Sequence, residues 1–210
     1  MYLTYSFAVS PNRVLASRLP NIGYVGRGYD LVKGNPAEQG VDPGFRQPIY
    51  DLTADGGQTP DKRYIMPQGV DVRSCIDCQI SFTSKLITGT KSYKESLSVL
   101  VEHSSSVSVG GLASAEFSAS AGYKRIYDET IAKENLVTQT SASCSQYCAA
   151  FDTYSPPQLS KSFKIAVAAL PNTDVQDTYY KFIAAFGTHV ATFLKMGASS
   201  RREVSISKTG

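Results

Sequence analysis

The sequence predicts an α+β fold, and three observations carry the prediction. Two segments, 71–87 and 139–151, show the alternation of apolar and polar residues expected of half-buried strands. Apolar residues recur at helical spacing from Val175 to Phe186. That helix leads directly into β-prone sequence from Thr188 to Ser207. The order is strand, long excursion, strand, helix, long strand, without the βαβ alternation of a parallel sheet.

Residues 1–22 form a lead-in. Met1 to Phe7 is mildly apolar but no basic segment precedes it, so an export signal is not evident. From Pro20 to Thr53 the chain is dense in Gly, Pro, Asn and Asp, which predicts an ordered but irregular region. Its Gly23-x-x-Gly26-x-Gly28 spacing is not the dinucleotide fingerprint. In the first strand the apolar residues Val72, Ile76, Ile80, Phe82 and Leu86 fall on even numbers and are expected on one face, with Ile87 closing the segment.

The excursion contains a window of unusual composition. From His103 to Tyr123 the only formal charge is Glu116, and seven positions are serine. Taking Gly110-Gly111-Leu112 as a three-residue turn pairs Val109 with Ala113 and Val99 with Tyr123. One face then holds Val99, Val101, His103, Ser105, Val107, Val109, Ala113, Ala115, Phe117, Ala119, Ala121 and Tyr123. The other holds Leu100, Glu102, Ser104, Ser106, Ser108, Ser114, Glu116, Ser118 and Ser120, with Gly122. Each arm is close to the roughly 9–11 residues of a tilted membrane-crossing strand. A surface hairpin of a soluble sheet, or a Ser/Ala-rich pair of helices, also fits this pattern. Lys124 to Glu134 is rich in charged helix formers, so the region tolerates both helix and strand.

Beyond the second strand, Pro156-Pro157 interrupts the chain and 163–170 reads as a strand or short helix. Asn172-Thr173-Asp174 offers N-cap chemistry for the helix that follows, and Gly187 stands at its C-cap. Gly197 divides the β-prone tail and fits either a hinge or a bulge.

Composition narrows the function classes. With 210 residues, 42% hydrophobic and 19% charged, the chain suits one domain and excludes disorder throughout. A dispersed net charge of +3 argues against a nucleic-acid partner. The longest apolar runs are too short for a spanning helix. Cys75/Cys78 and Cys144/Cys148 form two local pairs with no histidine near either, which favours structural disulfides over metal and leans towards an oxidising compartment. Their connectivity stays open at this stage. His189 has no triad or metal partners in sequence and is expected to pack and hydrogen-bond; His103 is expected to be exposed to solvent.

Two separated stretches then resemble the membrane attack complex/perforin family. Phe186-Gly187-Thr188-His189-Val190 is similar to that family's aromatic-Gly-Thr-His-aromatic signature at the entry to a long strand. Gly28-Tyr29-Asp30-Leu31, then Lys33-Gly34-Asn35-Pro36 and Asp42-Pro43-Gly44-Phe45-Arg46, resembles its N-terminal opening. The resemblance runs from about Gly23 to the end of the chain. It implies a bent, twisted four-stranded antiparallel sheet flanked by helical clusters that unfurl into membrane-inserting hairpins as subunits assemble into a ring. The first cluster corresponds to about 84–143, the helix and signature to 172–187, and the long central strand to 188–208. Such a domain continues through two further strands and a second cluster, so residues 23–210 are expected to be part of one domain and not to form a pore alone.

What the resemblance implies is a secreted or vesicle-stored, non-enzymatic pore former whose partners are a target lipid membrane and further copies of itself. No cofactor, metal or small-molecule substrate is expected. In this picture Val99, Val101, Val107, Val109 and Phe117 with their alanine and tyrosine companions meet lipid, and the Ser/Glu face lines the pore. A non-lytic adhesion module on the same fold is the alternative, and a secreted disulfide-bonded hydrolase a more distant one.

Overall fold

A computed structural model describes residues 17–36, 41–102, 117–173 and 175–207, with the backbone alone for 79–83 and 99–102. Three long strands dominate it. β6 (Val70–Ile87), β7 (Leu136–Phe151) and β9 (Phe193–Ile206) form one antiparallel sheet in the order β6-β7-β9. β6 and β7 stay paired from Val70↔Phe151 to Ile87↔Val137, and β7 and β9 from Ala150↔Phe193 to Leu136↔Ile206. These are three of the four strands that the resemblance implies.

Register shifts interrupt this sheet near its middle, between Ser74 and Asp77 and between Gln79 and Thr83 on β6, and between Ser145 and Tyr147 on β7. Each such irregularity bends and twists the strands around it. Ser145 donates its hydroxyl to the Cys75 carbonyl at 3.0 Å, tying the extra residues of β6 to β7. On β9, Gly197 lies opposite Ser145, where a Cβ would sit 2.0 Å from the Cys144 carbonyl oxygen. Gly197 thus faces the β7 bulge at a point where the two backbones approach too closely for a side chain.

The shift on β6 also overturns the expectation that its even-numbered apolar residues share a buried face. Val72 is buried at 1% exposure, whereas Ile76 is 75% and Leu86 51% exposed, and Ile87 is fully buried. One extra residue in a period-2 strand moves every later side chain to the opposite face.

Two small sheets flank the long one. β1 (Ser17–Arg18), β5 (Tyr64–Pro67) and β4 (Asp55–Gln58) form one, with β1 parallel to β5; β3 (Phe45–Pro48), β2 (Arg27–Tyr29) and β8 (His189–Val190) form the other, all antiparallel. The β-prone tail is therefore two strands, β8 and β9, separated at Ala191-Thr192.

Among the described residues there are four α-helices: α1 (Thr90–Glu102), α2 (Ala121–Tyr127), α3 (Lys161–Ala168) and α4 (Gln176–Phe186). Ser120 caps α2 by accepting from the Tyr123 amide at 3.1 Å, and Ser160 caps α3 from the Phe163 amide at 3.2 Å. α4 starts after Val175, which makes no side-chain cap; of the expected N-cap run, Asp174 lies outside the described residues. Gly187 does end α4, with a positive φ of 78° and its amide bonded to the Ile183 carbonyl at 2.7 Å.

Apolar burial gathers at the two ends of the long sheet. At one end Val70, Val72, Tyr147 and Ala149 pack with Leu19, Ile22 and Val25. At the other, Ile87 and Val137 pack with α1, α2 and the segment after β2. The second core takes in Tyr93, Leu97, Phe117 and Ile126 from the excursion between β6 and β7.

Candidate membrane-insertion site

Among the described residues of the excursion, α1 and α2 pack on the end of the long sheet. α1 turns Tyr93 and Leu97, one helical turn apart, into the core, and α2 contributes Ile126; Phe117, just ahead of α2, is 1% exposed beside them. Tyr29 and Leu31 close this core from the N-terminal side. Burial and the nearby Glu203 carboxylate push the Tyr93 phenol up to about 12.

The loop after β2 clasps both helices. The Tyr93 hydroxyl donates to Asn35 Oδ1 at 3.3 Å on α1, and the Ala119 amide donates to the Val32 carbonyl at 3.0 Å just before α2. Two carboxylates shape this loop. Asp42 Oδ1 accepts from the amides of Asn35 and Gly44, both at 2.8 Å, while its Oδ2 accepts from the Tyr29 hydroxyl at 2.6 Å. Asp30 accepts from the amides of Val32 and Lys33 and pairs with Arg46 at 3.1 Å. Burial, reinforced by Asp42, raises the Tyr29 phenol so that it stays protonated and keeps donating. The Asp, Asn and Gly residues of the N-terminal motif are thus the hydrogen-bonding frame of the clasp.

The two motifs that carry the family resemblance meet at β2 and β8. Gly28 pairs with Val190 and Tyr29 with His189. A Cβ on Gly28 would lie 1.7 Å from the Phe186 carbonyl oxygen, and one on Gly187 would lie 2.6 Å from the Tyr29 backbone. Thr188 donates its amide to the Tyr29 carbonyl at 2.9 Å. His189 lies within 2.9 Å of the Thr188 hydroxyl through Nδ1, but its side chain is exposed, so it hydrogen-bonds without packing into the core. Phe186 is buried against Phe163 and Phe182, which joins α3 and α4.

A polar network fastens α2 to β9. Arg125 meets Glu203 at 2.5 Å, and Glu203 also accepts from Gln139 at 2.9 Å. A π-helical turn, Asp128–Ala132, extends α2, and there Glu129 accepts from Ser205 on β9, Lys133 and Asn135. These donors, led by Lys133, hold the Glu129 carboxyl down to about 2.

The four cysteines pair across the strands, Cys75 with Cys148 from within the bulge and Cys78 with Cys144 just beyond it. Sequence spacing grouped them by proximity. The antiparallel register, which puts Cys78 directly opposite Cys144, shows why the bonds cross instead.

The hairpin residues fall into two sets. Val99, Val101 and Glu102 belong to α1, Ala121 and Tyr123 to α2, Ser120 is the α2 cap, and Phe117, Ser118 and Ala119 lead into it. In this state those positions are therefore not strand-paired. Ser104, Ser106, Val107, Ser108, Val109, Gly110, Gly111, Ala113, Ser114, Ala115 and Glu116, with His103, lie outside the described residues. No helix among the described residues is long and apolar enough to cross a membrane, which says nothing of crossing by strands.

A long, bulged antiparallel sheet, with helices folded over one end and a clasp built from two distant motifs, defines an α+β domain of the perforin class. The MAC/Perforin domain family matches residues 11–210, and the chain belongs to that family, which in general comprises non-enzymatic pore-forming proteins. Among solved structures, the crystal structure of GNIP1Aa from Chromobacterium piscinae is similar, with a TM-score of 0.55 and 16% identity. The likeness covers 85% of this chain and 32% of that one, so this chain spans about a third of that protein's length. At such identity the likeness is one of fold.

Proposed function

We propose that this domain is the part of an extracellular pore-forming protein that delivers a membrane-inserting β-hairpin, with α1, α2 and the residues between them unfolding from the sheet as copies assemble on a lipid membrane. The observation that carries the reading is continuity of register. β6 and β7 end paired at Ile87↔Val137, odd number opposite odd number. Carried outward by twelve residues on each side, the same pairing places Val99 opposite Arg125. The hairpin drawn from sequence places Val99 opposite Tyr123, a slip of two residues. A slip of two preserves faces. In either register Val99, Val101, Val107, Val109, Ala113, Ala115, Phe117, Ala119, Ala121 and Tyr123 lie on one side, continuous with Ile87 and Val137. The Ser/Glu set lies on the other.

The inserted pair satisfies its backbone only in a closed barrel, which requires several copies. The two disulfides fit an oxidising, extracytoplasmic location. They also tie β6 to β7 in the middle of the sheet, which keeps the two strands paired below the Ile87↔Val137 end from which the arms extend.

The test is dye release from lipid vesicles by the protein at its full natural length, with imaging of rings or arcs. Wild type is expected to release dye and Val107→Asp to bind without releasing it, since a charge on the lipid face opposes insertion. Binding by both without release would favour the adhesion reading on the same fold.

A further inference from the structure

We infer that the contacts joining α2 to β9, the Arg125–Glu203 pair and the Glu129–Ser205 hydrogen bond, form a latch that sets how readily the second arm of the inserting segment leaves the sheet. The inference rests on the reading that this segment leaves.

The two helices are held differently. α1 buries Tyr93 and Leu97 completely. α2 is short, buries Ile126, and keeps Tyr127 48% and the following Ile131 50% exposed. With less apolar burial, its attachment depends more on polar bonds. Those bonds reach outside the moving segment: Glu203 and Ser205 belong to β9, whereas Arg125 and Glu129 belong to the excursion. The Lys133–Glu129 pair, by contrast, is internal to the excursion and can survive its departure. Gln139 bonds Glu203 from β7 at 2.9 Å, so Glu203 stays positioned by the sheet and is not left without a partner once Arg125 goes. This geometry gives a fixed half on the sheet and a mobile half on α2.

The experiment measures amide hydrogen exchange in wild type, Glu203→Gln, Ser205→Ala and the swapped double variant Arg125→Glu with Glu203→Arg. The latch predicts exchange in Ala121–Tyr127 that is about five-fold faster in each single variant, as for loss of one partly exposed ion pair or hydrogen bond. Exchange across the Ala150↔Phe193 end of the sheet should be unchanged, and the swap should restore slow exchange in α2. Equal rates in α2 for wild type and single variants, or acceleration spread through the whole sheet, would overturn the latch. Vesicle dye release measured in parallel separates the two ideas. Faster α2 exchange with no release from any variant supports the latch and counts against the pore; normal wild-type release with unaltered α2 exchange does the reverse.

Discussion

Tyr29 and Thr188, 159 residues apart in the sequence, are bonded twice: the Thr188 amide donates to the Tyr29 carbonyl at 2.9 Å and its hydroxyl donates to the same oxygen at 3.3 Å. Through this joint the signature after α4 is fixed to the strand that begins the clasp over α1 and α2. The signature and the loop that contacts α1 and the approach to α2 therefore share one hydrogen-bonded joint.

The joint leaves no room for a side chain on either glycine. Gly28→Ala sets a Cβ against the Phe186 backbone carbonyl, which cannot swing aside as a flexible side chain could, and Gly187→Ala adds a positive φ to a clash with Tyr29. Each is expected to cost about 3 kcal/mol or more, read as a lowered denaturation midpoint. Gly23→Ala, where a Cβ meets nothing within 4 Å, is the control and should differ little.

Phe117 anchors the approach to α2 in the core at 1% exposure. Phe117→Ala is expected to destabilise by about 3–5 kcal/mol through the cavity it leaves, measured by urea unfolding. If the segment opens before the sheet unfolds, protease cleavage near α2 should accelerate at urea concentrations that leave the sheet's circular dichroism intact.

The disulfides should not act additively. With Cys78–Cys144 gone, Cys75–Cys148 still closes the long loop, and the reverse holds. Removing one pair by Cys→Ser is expected to cost about 2 kcal/mol, and removing both about 6 kcal/mol, more than twice the single effect. Denaturant titration of the three variants under non-reducing conditions checks this.

Mild acid should leave the Glu129 contacts in place. Its carboxyl is depressed in the folded state to about 2, so its contribution is fully present above the ordinary carboxylate range and fades as pH falls from about 4.5 towards 2. The stability difference between wild type and Glu129→Gln is expected to stay constant from pH 7 to 5 and to shrink only below that. A difference that already disappeared at pH 5 would contradict the depressed value.

The sequence made the long strands, α4 with its Gly187 cap, and the helical option for the excursion legible, because each depends on local periodicity or local chemistry. The face reversal in β6 was not legible. Nothing in the residues around Ile76 announces the bulge, which is visible only once β7 is paired with β6 and Ser145 meets the Cys75 carbonyl. The cysteine connectivity became readable only with the register, since Cys78 and Cys144 adjoin through strand pairing and not through sequence. The latch was equally hidden. Arg125, Glu129, Glu203 and Ser205 look like ordinary surface residues until β9 is laid beside β7.

The central claim is that residues held as α1 and α2 become an alternating hairpin in the membrane. An environment-sensitive fluorophore attached at single introduced cysteines, one at a time from Val99 to Val109, tests it directly on vesicles. Emission should alternate with a period of two, with odd positions from Val99 to Val109 reporting lipid and even positions from Leu100 to Ser108 reporting water. The aberrant members would be His103 and Ser105. A period near 3.6, or one environment at all positions, would contradict it.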